Sequence, residues 1–396
     1  MRRVLVVHNY YRQHGGEDEV VANERALLEQ RGHEVRLFAL HNDDLIQRNR
    51  VMTAARSLWN PQTYRALRSL VAGWRADIAH FHNTFPLVSP AGYWAARKGG
   101  AAVVQTLHNY RPFCVNALFF RDGRPCELCM GRALPWPGVL HGCYRGSRLA
   151  SGAAAMAIVG GRILGAAGRA VDRFIAGSAF SAQRYVTGGL PTDKIVLKTH
   201  FLASDPGPGD GRGGYALFVG RLAPEKGLAT MLSAWQVIGA TVPLRIAGDG
   251  PLAPLVRHAA ATQKGVSWLG ELQPNEVARE MGDAAFLVFP SEWYETFGRV
   301  GMEALARGTP LVVARIGAVA ELVDPGRTGV HFDPGDATDL AAKVAWLIDH
   351  PRELASMREA ARQDYEAKYT ADKNYGRLVE IYDEAVAEAS GAHGAG

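Results

Sequence analysis

Two stretches in the second half of the chain carry residue types at spacings suited to holding a charged, hydroxyl-rich small molecule. In the run GRLAPEKG, Gly220 and Arg221 follow directly on an apolar segment, Tyr215–Val219, that reads as a strand, and Lys226 opens the helix that comes next. Two cations at the carboxyl end of one strand converge on a single anion, and a diphosphate fits that arrangement. In the run ETFGRVGME, Glu295 and Glu303 flank a helix start at Phe297 and Gly298. Gly298 lets its backbone come close to a ligand, and the helix start offers amide N–H groups and a positive dipole end. Glu295 lies before the helix and Glu303 about two turns into it, so the two carboxylates accept hydrogen bonds from separate hydroxyls, those of a sugar and a ribose.

A third constellation is of another kind. The four cysteines, Cys114, Cys126, Cys129 and Cys143, all fall within 30 residues of a 396-residue chain. Thiolates at such spacing can surround Zn²⁺ tetrahedrally, and the turn-like segment Arg121–Pro125 between them would bring the arms together. A structural zinc on all four is therefore expected, ahead of buried free thiols or an iron–sulfur cluster. His80 and His82, two apart, share one face of a strand and read as buried structural histidines.

The elements that must position these residues alternate. Short β-branched runs at Arg3–Val7, Glu34–Leu40, Asp77–Phe81, Ala102–Leu107, Arg173–Ala176 and Lys194–Lys198 are separated by helix-length segments such as Asp18–Gln30 and Thr53–Trp74. The alternation restarts at Tyr215–Val219 and continues through Leu244–Ala247, Val266–Leu269, Ala285–Phe289 and Leu311–Val313. Such alternation predicts parallel sheets wrapped by helices. Residues 204–214, with five glycines and two prolines, read as a linker. The apolar stretch Leu149–Val171 reads as a buried helix, and Asp372–Ala389 as an amphipathic one with Tyr375, Leu378, Ile381, Tyr382 and Ala385 on one face.

The run GRLAPEKG, followed by the segment from Pro290 through Asp336, resembles the carboxyl-terminal domain of glycosyltransferase family 4, whose E-x7-E motif is here Glu295 and Glu303. Gly15-Gly16-Glu17, RGHEV from Arg31, DIAHFHN from Asp77 and TLHNYR from Thr106 agree with its amino-terminal half. The resemblance implies an α/β chain of GT-B fold, two doubly wound Rossmann-like domains facing a cleft. It implies an acceptor-binding domain over 1–203 with a Cys-rich insertion near 110–148, a linker at 204–214, a nucleotide-sugar-binding domain over 215–371, and a final helix over 372–396 that crosses back to the first domain. By likeness, Arg221 and Lys226 bind the donor diphosphate, Glu303 the ribose and Glu295 the donor sugar. Phe297 and Gly298 offer backbone N–H groups, Gly16 lets the first loop approach the donor or acceptor, and His108 sits at the reacting carbon. Gly220 belongs with them to the donor-binding set. The activity implied is retaining hexosyl transfer without a catalytic metal, from a nucleotide-diphosphate sugar, UDP preferred over GDP.

Charge divides the chain. Residues 1–200 hold 26 Lys and Arg against 13 Asp and Glu, net +13, and the remainder 18 against 26, net −8. A basic first half fits an anionic partner, here a saccharide acceptor carried on a lipid diphosphate and peripheral contact with an anionic inner membrane face. The start MRRVLVVHNY is too short in apolar residues for a secretory signal, which points to the cytoplasm. Cell-surface polysaccharide assembly is the expected setting, because the stretch from HNYRPFC through CELC to HGCYRGS is similar to one found in some bacterial surface-polysaccharide transferases. Two alternatives are a GT-B nucleotide-sugar epimerase, disfavoured by the glycine-flanked E-x7-E helix, and a zinc-stabilised nucleic-acid-binding protein. Against the second, no basic stripe interleaved with aromatics appears, so no nucleic-acid partner is expected.

Overall fold

The computed structural model describes residues 1–11, 15–45, 50–164 and 166–394. Strands β1 (Arg3–Tyr10), β2 (Glu34–His41), β3 (Ile78–Phe81) and β4 (Ala102–Leu107) come first, followed by a two-stranded antiparallel hairpin, β5 (Phe120–Arg121) and β6 (Arg124–Pro125). After β7 (Arg173–Ala176) and β8 (Ile195–Leu197), the series continues with β9 (Ala216–Val219), β10 (Leu244–Ala247), β11 (Val266–Gly270), β12 (Phe286–Phe289), β13 (Leu311–Ala314) and β14 (Gly329–Phe332). Two six-stranded sheets result, ordered β2-β1-β3-β4-β7-β8 and β11-β10-β9-β12-β13-β14. Every pairing within them is parallel. Residues Val4–Val7, Ile78–Phe81 and Leu311–Ala314 are almost wholly buried, as strands covered by helices on both faces must be.

The chain divides into two compact units. One comprises Met1–Phe119, Glu127–Ala203 and the chain from Ala371 onward; the other comprises Phe120–Cys126 and Ser204–Thr370. In the first unit the final helix, Ala371–Gly394, completes the sheet's core: Leu378, Ile381, Tyr382 and Ala385 pack against Val4, Val6, Ile78, Val104 and Ile175. The second unit has its own core, centred on Phe218, Trp235, Ile246, Phe286 and Phe332.

Three elements depart from the sequence reading. The helix over Thr53–Trp74 is two helices, Arg50–Leu58 and Pro61–Trp74, because Asn60 caps the second through Gln62 and Thr63 amides and Pro61 cannot continue the first. The glycine-rich segment 204–214 has no helix or strand, yet it is not a loose tether. Amides of Gly209, Gly211 and Gly213 bond carbonyls of Arg307, Gly282 and Asp283, and an added Cβ at Gly209 would lie 2.2 Å from the Gly282 Cα. Its glycines permit that close approach. The buried helix expected over Leu149–Val171 is Arg148–Ile163, buried on one side only: Ser151, Ala154, Ala155 and Ile158 face inward, while Leu149 and Ile163 are 89% and 74% exposed.

Candidate active site

In the second sheet β9 and β12 are neighbours, but the strand after β9 lies on one side of the pair and the strand after β12 on the other. The loops at their carboxyl ends therefore diverge and leave a crevice, the place where ligands bind in open α/β sheets. The loops carry Gly220–Lys226 from β9 and Pro290–Gly298 from β12. Gly227, at φ 68°, locks them together: a Cβ there would stand 1.8 Å from the Pro290 carbonyl oxygen, so glycine is required.

Lys226 ends a short 3₁₀ turn, Pro224–Lys226, rather than opening the helix, which begins at Leu228. Its Nζ donates to Glu295 Oε1 at 2.6 Å. The same oxygen accepts from Ser291 Oγ at 3.0 Å and Trp293 Nε1 at 2.9 Å. The Lys226 ammonium also lies 5.4 Å from the Trp293 ring centroid. Three donors on one nearly buried carboxylate oxygen fix Glu295 in place. Gly298, at φ 96°, caps the helix Arg299–Ala306, and a Cβ there would crowd Leu322 and Val319 at 3.0 Å. Phe297 is buried with its ring edge-on to Tyr369, which anchors the backbone before the helix start. Glu303 lies on the same helix and pairs with Arg299, Nε to Oε1 2.9 Å. Arg221 pairs with the buried Glu225 and keeps about half of its side chain exposed. Lys226 and Glu295 are thus brought together directly, whereas Arg221 and Glu303 each hold a local partner.

In the first unit, Gly16 begins the helix Gly16–Gln30 behind Gly15, whose amide donates to Asp18 Oδ2 at 3.0 Å. Among the described residues, a Cβ on Gly16 would meet nothing within 4 Å. His108 follows β4. Its Nε2 lies 3.0 Å from His82 Nδ1, and His82 Nε2 faces Glu24 Oε2 at 3.6 Å. Lys198 Nζ lies 2.5 Å from Glu24 Oε1. His80 spends both nitrogens, on Tyr382 Oη and Thr106 Oγ1 at 2.8 Å each. Burial holds His80 down to about 4 and His108 to about 3, and pushes His82 well below its usual value. All three are therefore neutral at pH 7. Burial acts the other way on Glu17, raised to about 8, so that it is mostly a neutral acid there. His82 and His108 line a cavity of about 530 Å³ whose walls include Phe85, Pro90, Phe113, Ile158 and Phe174, with Arg111 and Arg162 also on its surface.

The structure lends the zinc expectation no support. Among the described residues, the groups of three or more His, Cys, Asp or Glu side chains with ligand atoms within 4.8 Å are Glu24, His80 and His82, and His8, Glu17 and Asp18; neither contains a cysteine. Cys114 Sγ instead donates to Asn116 Oδ1 at 2.9 Å, Cys129 Sγ lies 3.8 Å from the Pro135 carbonyl, and burial raises the Cys114 thiol above its usual value. Among the described residues, Cys114, Cys126, Cys129 and Cys143 form no such group. Glu24 and the two histidines do not fit a Zn²⁺, because Lys198 already neutralises the carboxylate and His80 has no nitrogen to spare.

A family model described as glycosyl transferases group 1 matches residues 208–364, and one described as Glycosyltransferase Family 4 matches residues 14–197. The chain belongs to glycosyltransferase family 4. A glycogen synthase of Mycobacterium tuberculosis is 37% identical over 153 residues, 37% of each chain. The matched region thus spans little more than a third of that relative. Among solved structures, Anabaena HepE in complex with UDP and glucose superposes with a TM-score of 0.68 at 16% identity, over 97% of this chain and 100% of that one. A lipopolysaccharide outer core galactosyltransferase, WaaB, superposes with 0.63 at 14%, over 98% and 99%. These likenesses establish the GT-B fold of the family 4 chain.

Sequence reasoning missed two parts of this region. The loop Gly248-Asp249-Gly250 after β10 backs the Arg221 loop so tightly that a Cβ on Gly248 would lie 2.0 Å from the Gly220 carbonyl oxygen. Its signal was a Gly-x-Gly directly after a strand. Glu24, which faces His82, and Lys198, which pairs with Glu24, had no sequence signal, since they come from a helix and from the residue after a strand, more than 100 residues apart.

Proposed function

We propose that this chain is a retaining glycosyltransferase that moves a sugar from a nucleotide-diphosphate sugar, with UDP preferred, to a saccharide or lipid-linked saccharide acceptor in cell-surface polysaccharide assembly. The observation that carries the reading is the Lys226–Glu295 pair at the crevice of the second sheet, with the Gly298 helix start beside it. A lysine ammonium has three N–H donors, so Lys226 can hold the Glu295 carboxylate and still meet a phosphate oxygen. Glu295, fixed by Ser291 and Trp293, then accepts from a donor-sugar hydroxyl. In the reaction the bond between the anomeric carbon and the phosphate oxygen breaks, and its electron pair stays on the diphosphate. Lys226 and Arg221 stabilise the charge that develops there. The acceptor oxygen bonds to the same carbon from the face that the leaving group vacates, and its proton passes to a phosphate oxygen. These two cations supply the electrostatic help that the step requires. His108, neutral and fixed by His82, hydrogen-bonds the donor sugar or acceptor without adding charge. The UDP and glucose held by the HepE relative in fold, and the galactosyl transfer named for WaaB, support this choice of substrates.

A thermal-shift screen of UDP, GDP, ADP and their sugars tests the reading. At 100 times its Kd a ligand adds about 2.7 kcal/mol, so UDP or a UDP-sugar should raise Tm by several degrees. No shift with any of these nucleotides would refute it.

A further inference from the structure

On the first unit, the helix Arg148–Ile163 carries apolar side chains on its outer as well as its inner face. Leu149, Met156 and Ile163 recur every seven residues, which places them on one side of an α-helix over about 21 Å. They are 89%, 52% and 74% exposed. The inner face is accounted for by Ala154, Ala155 and Ile158 packed with Val115. Among the described residues, helix Arg50–Leu58 packs on this helix with Leu58 beside Gly160, and it leaves Leu149, Met156 and Ile163 exposed. A helix that is apolar all round belongs in a core or against lipid.

The neighbourhood has the same character. Trp136 and Leu140, on the short helix packed against this one, are about half exposed, and the Arg132 guanidinium lies over the Trp136 ring. From Leu128 to Val171 the chain holds five arginines and no acidic residue. Arg145 and Arg148 stand at one end of the stripe and Arg169 beyond the other, all exposed. An apolar stripe, a tryptophan beside it and arginines at both ends, with no carboxylate among them, match an interface where hydrocarbon meets anionic headgroups. No helix among the described residues is long and apolar enough to cross a membrane.

We infer that this face seats the protein on an anionic bilayer surface, with Leu149, Met156 and Ile163 entering the acyl boundary and Arg145, Arg148 and Arg169 on the headgroups. The inference deepens the reading of a lipid-carried acceptor, but the assay that decides it reads vesicle binding alone.

Sedimentation of the full chain with vesicles of phosphatidylglycerol and phosphatidylcholine, against phosphatidylcholine alone, reads it out. The wild type should bind the anionic vesicles and bind the neutral ones much more weakly. The triple variant Leu149→Ser, Met156→Ser, Ile163→Ser should lose ~10²-fold or more of its partitioning. Arg145→Gln, Arg148→Gln, Arg169→Gln together should lose ~10²-fold, at about fivefold per charge, and only with anionic vesicles. Both variants replace exposed side chains, so their thermal unfolding should match the wild type. Absence of wild-type binding, equal binding by the serine variant, or self-association abolished by the serine substitutions without vesicle binding would each overturn the inference, the last by assigning the face to a second copy. If the wild type binds vesicles but transfers sugar only to a soluble acceptor, the docking surface stands and the lipid-carried acceptor falls.

Discussion

Replacing Lys226 by alanine separates a structural role from a functional one, because the two predict different numbers. The ammonium sits 2.6 Å from Glu295 Oε1 with about a fifth of its side chain exposed. At that distance the gross Coulomb attraction is about 6 kcal/mol for an effective dielectric near 20. Most of it is offset by desolvation, and Lys226→Ala still leaves Glu295 the donors Ser291 and Trp293. The net loss of stability should therefore be that of one charge-assisted hydrogen bond, about 2 kcal/mol. For a unit of this size that corresponds to a fall in Tm of roughly 4–8 °C. The catalytic loss is separate: removing a cation from a developing diphosphate charge in a shielded crevice should cost ~10²–10³-fold in turnover. Both are measured on one preparation, by scanning calorimetry and by release of UDP from a UDP-sugar with acceptor present, at a temperature well below the variant's Tm. Turnover within threefold of the wild type, with the expected fall in Tm, would show that Lys226 only props Glu295 and would refute its assignment to the leaving group.

Three further outcomes follow from the geometry. Glu303→Ala should weaken binding of the bare nucleotide, whereas Glu295→Ala should damage sugar transfer more than nucleotide affinity; titration calorimetry giving the reverse order would exchange the two roles. Stability should fall as pH drops from about 6.5 towards 4, because the unfolded chain protonates its histidines below pH 6.5 while His80 stays neutral in the fold down to about 4 and His82 is held down in the same sense. His80 alone should cost about 2 kcal/mol by pH 5, and urea titrations showing no change between pH 7.5 and 5 would contradict its burial as a neutral ring. Purified protein should hold no stoichiometric zinc, and Cys126 and Cys143 should react with a thiol reagent faster than the more buried Cys114 and Cys129; about one zinc per chain on elemental analysis would restore the shared thiolate site.

What was legible in the sequence was whatever is written locally. The apolar runs of both sheets fall within three residues of the observed strands, except β14, because parallel strands buried on both faces must be continuously apolar. The amphipathic face of the final helix, from Tyr375 to Ala385, is likewise a periodicity that one helix carries by itself. Lys226 and Glu295 were named because each lies in the loop that follows a strand, where an α/β sheet opens. Tertiary structure decided what depends on residues distant in sequence. It paired Lys226 with Glu295 across 69 positions, and it gave Arg221 and Glu303 the local partners Glu225 and Arg299. It also turned the apolar run after Leu149 into a helix with one face outside, since hydrophobicity measures a segment's preference for burial but not the room available for it. The cysteines make the same point: a spacing that permits a tetrahedron does not by itself gather four sulfurs, since the backbone between them has other partners, such as Arg162 on the Arg132 and Ala133 carbonyls.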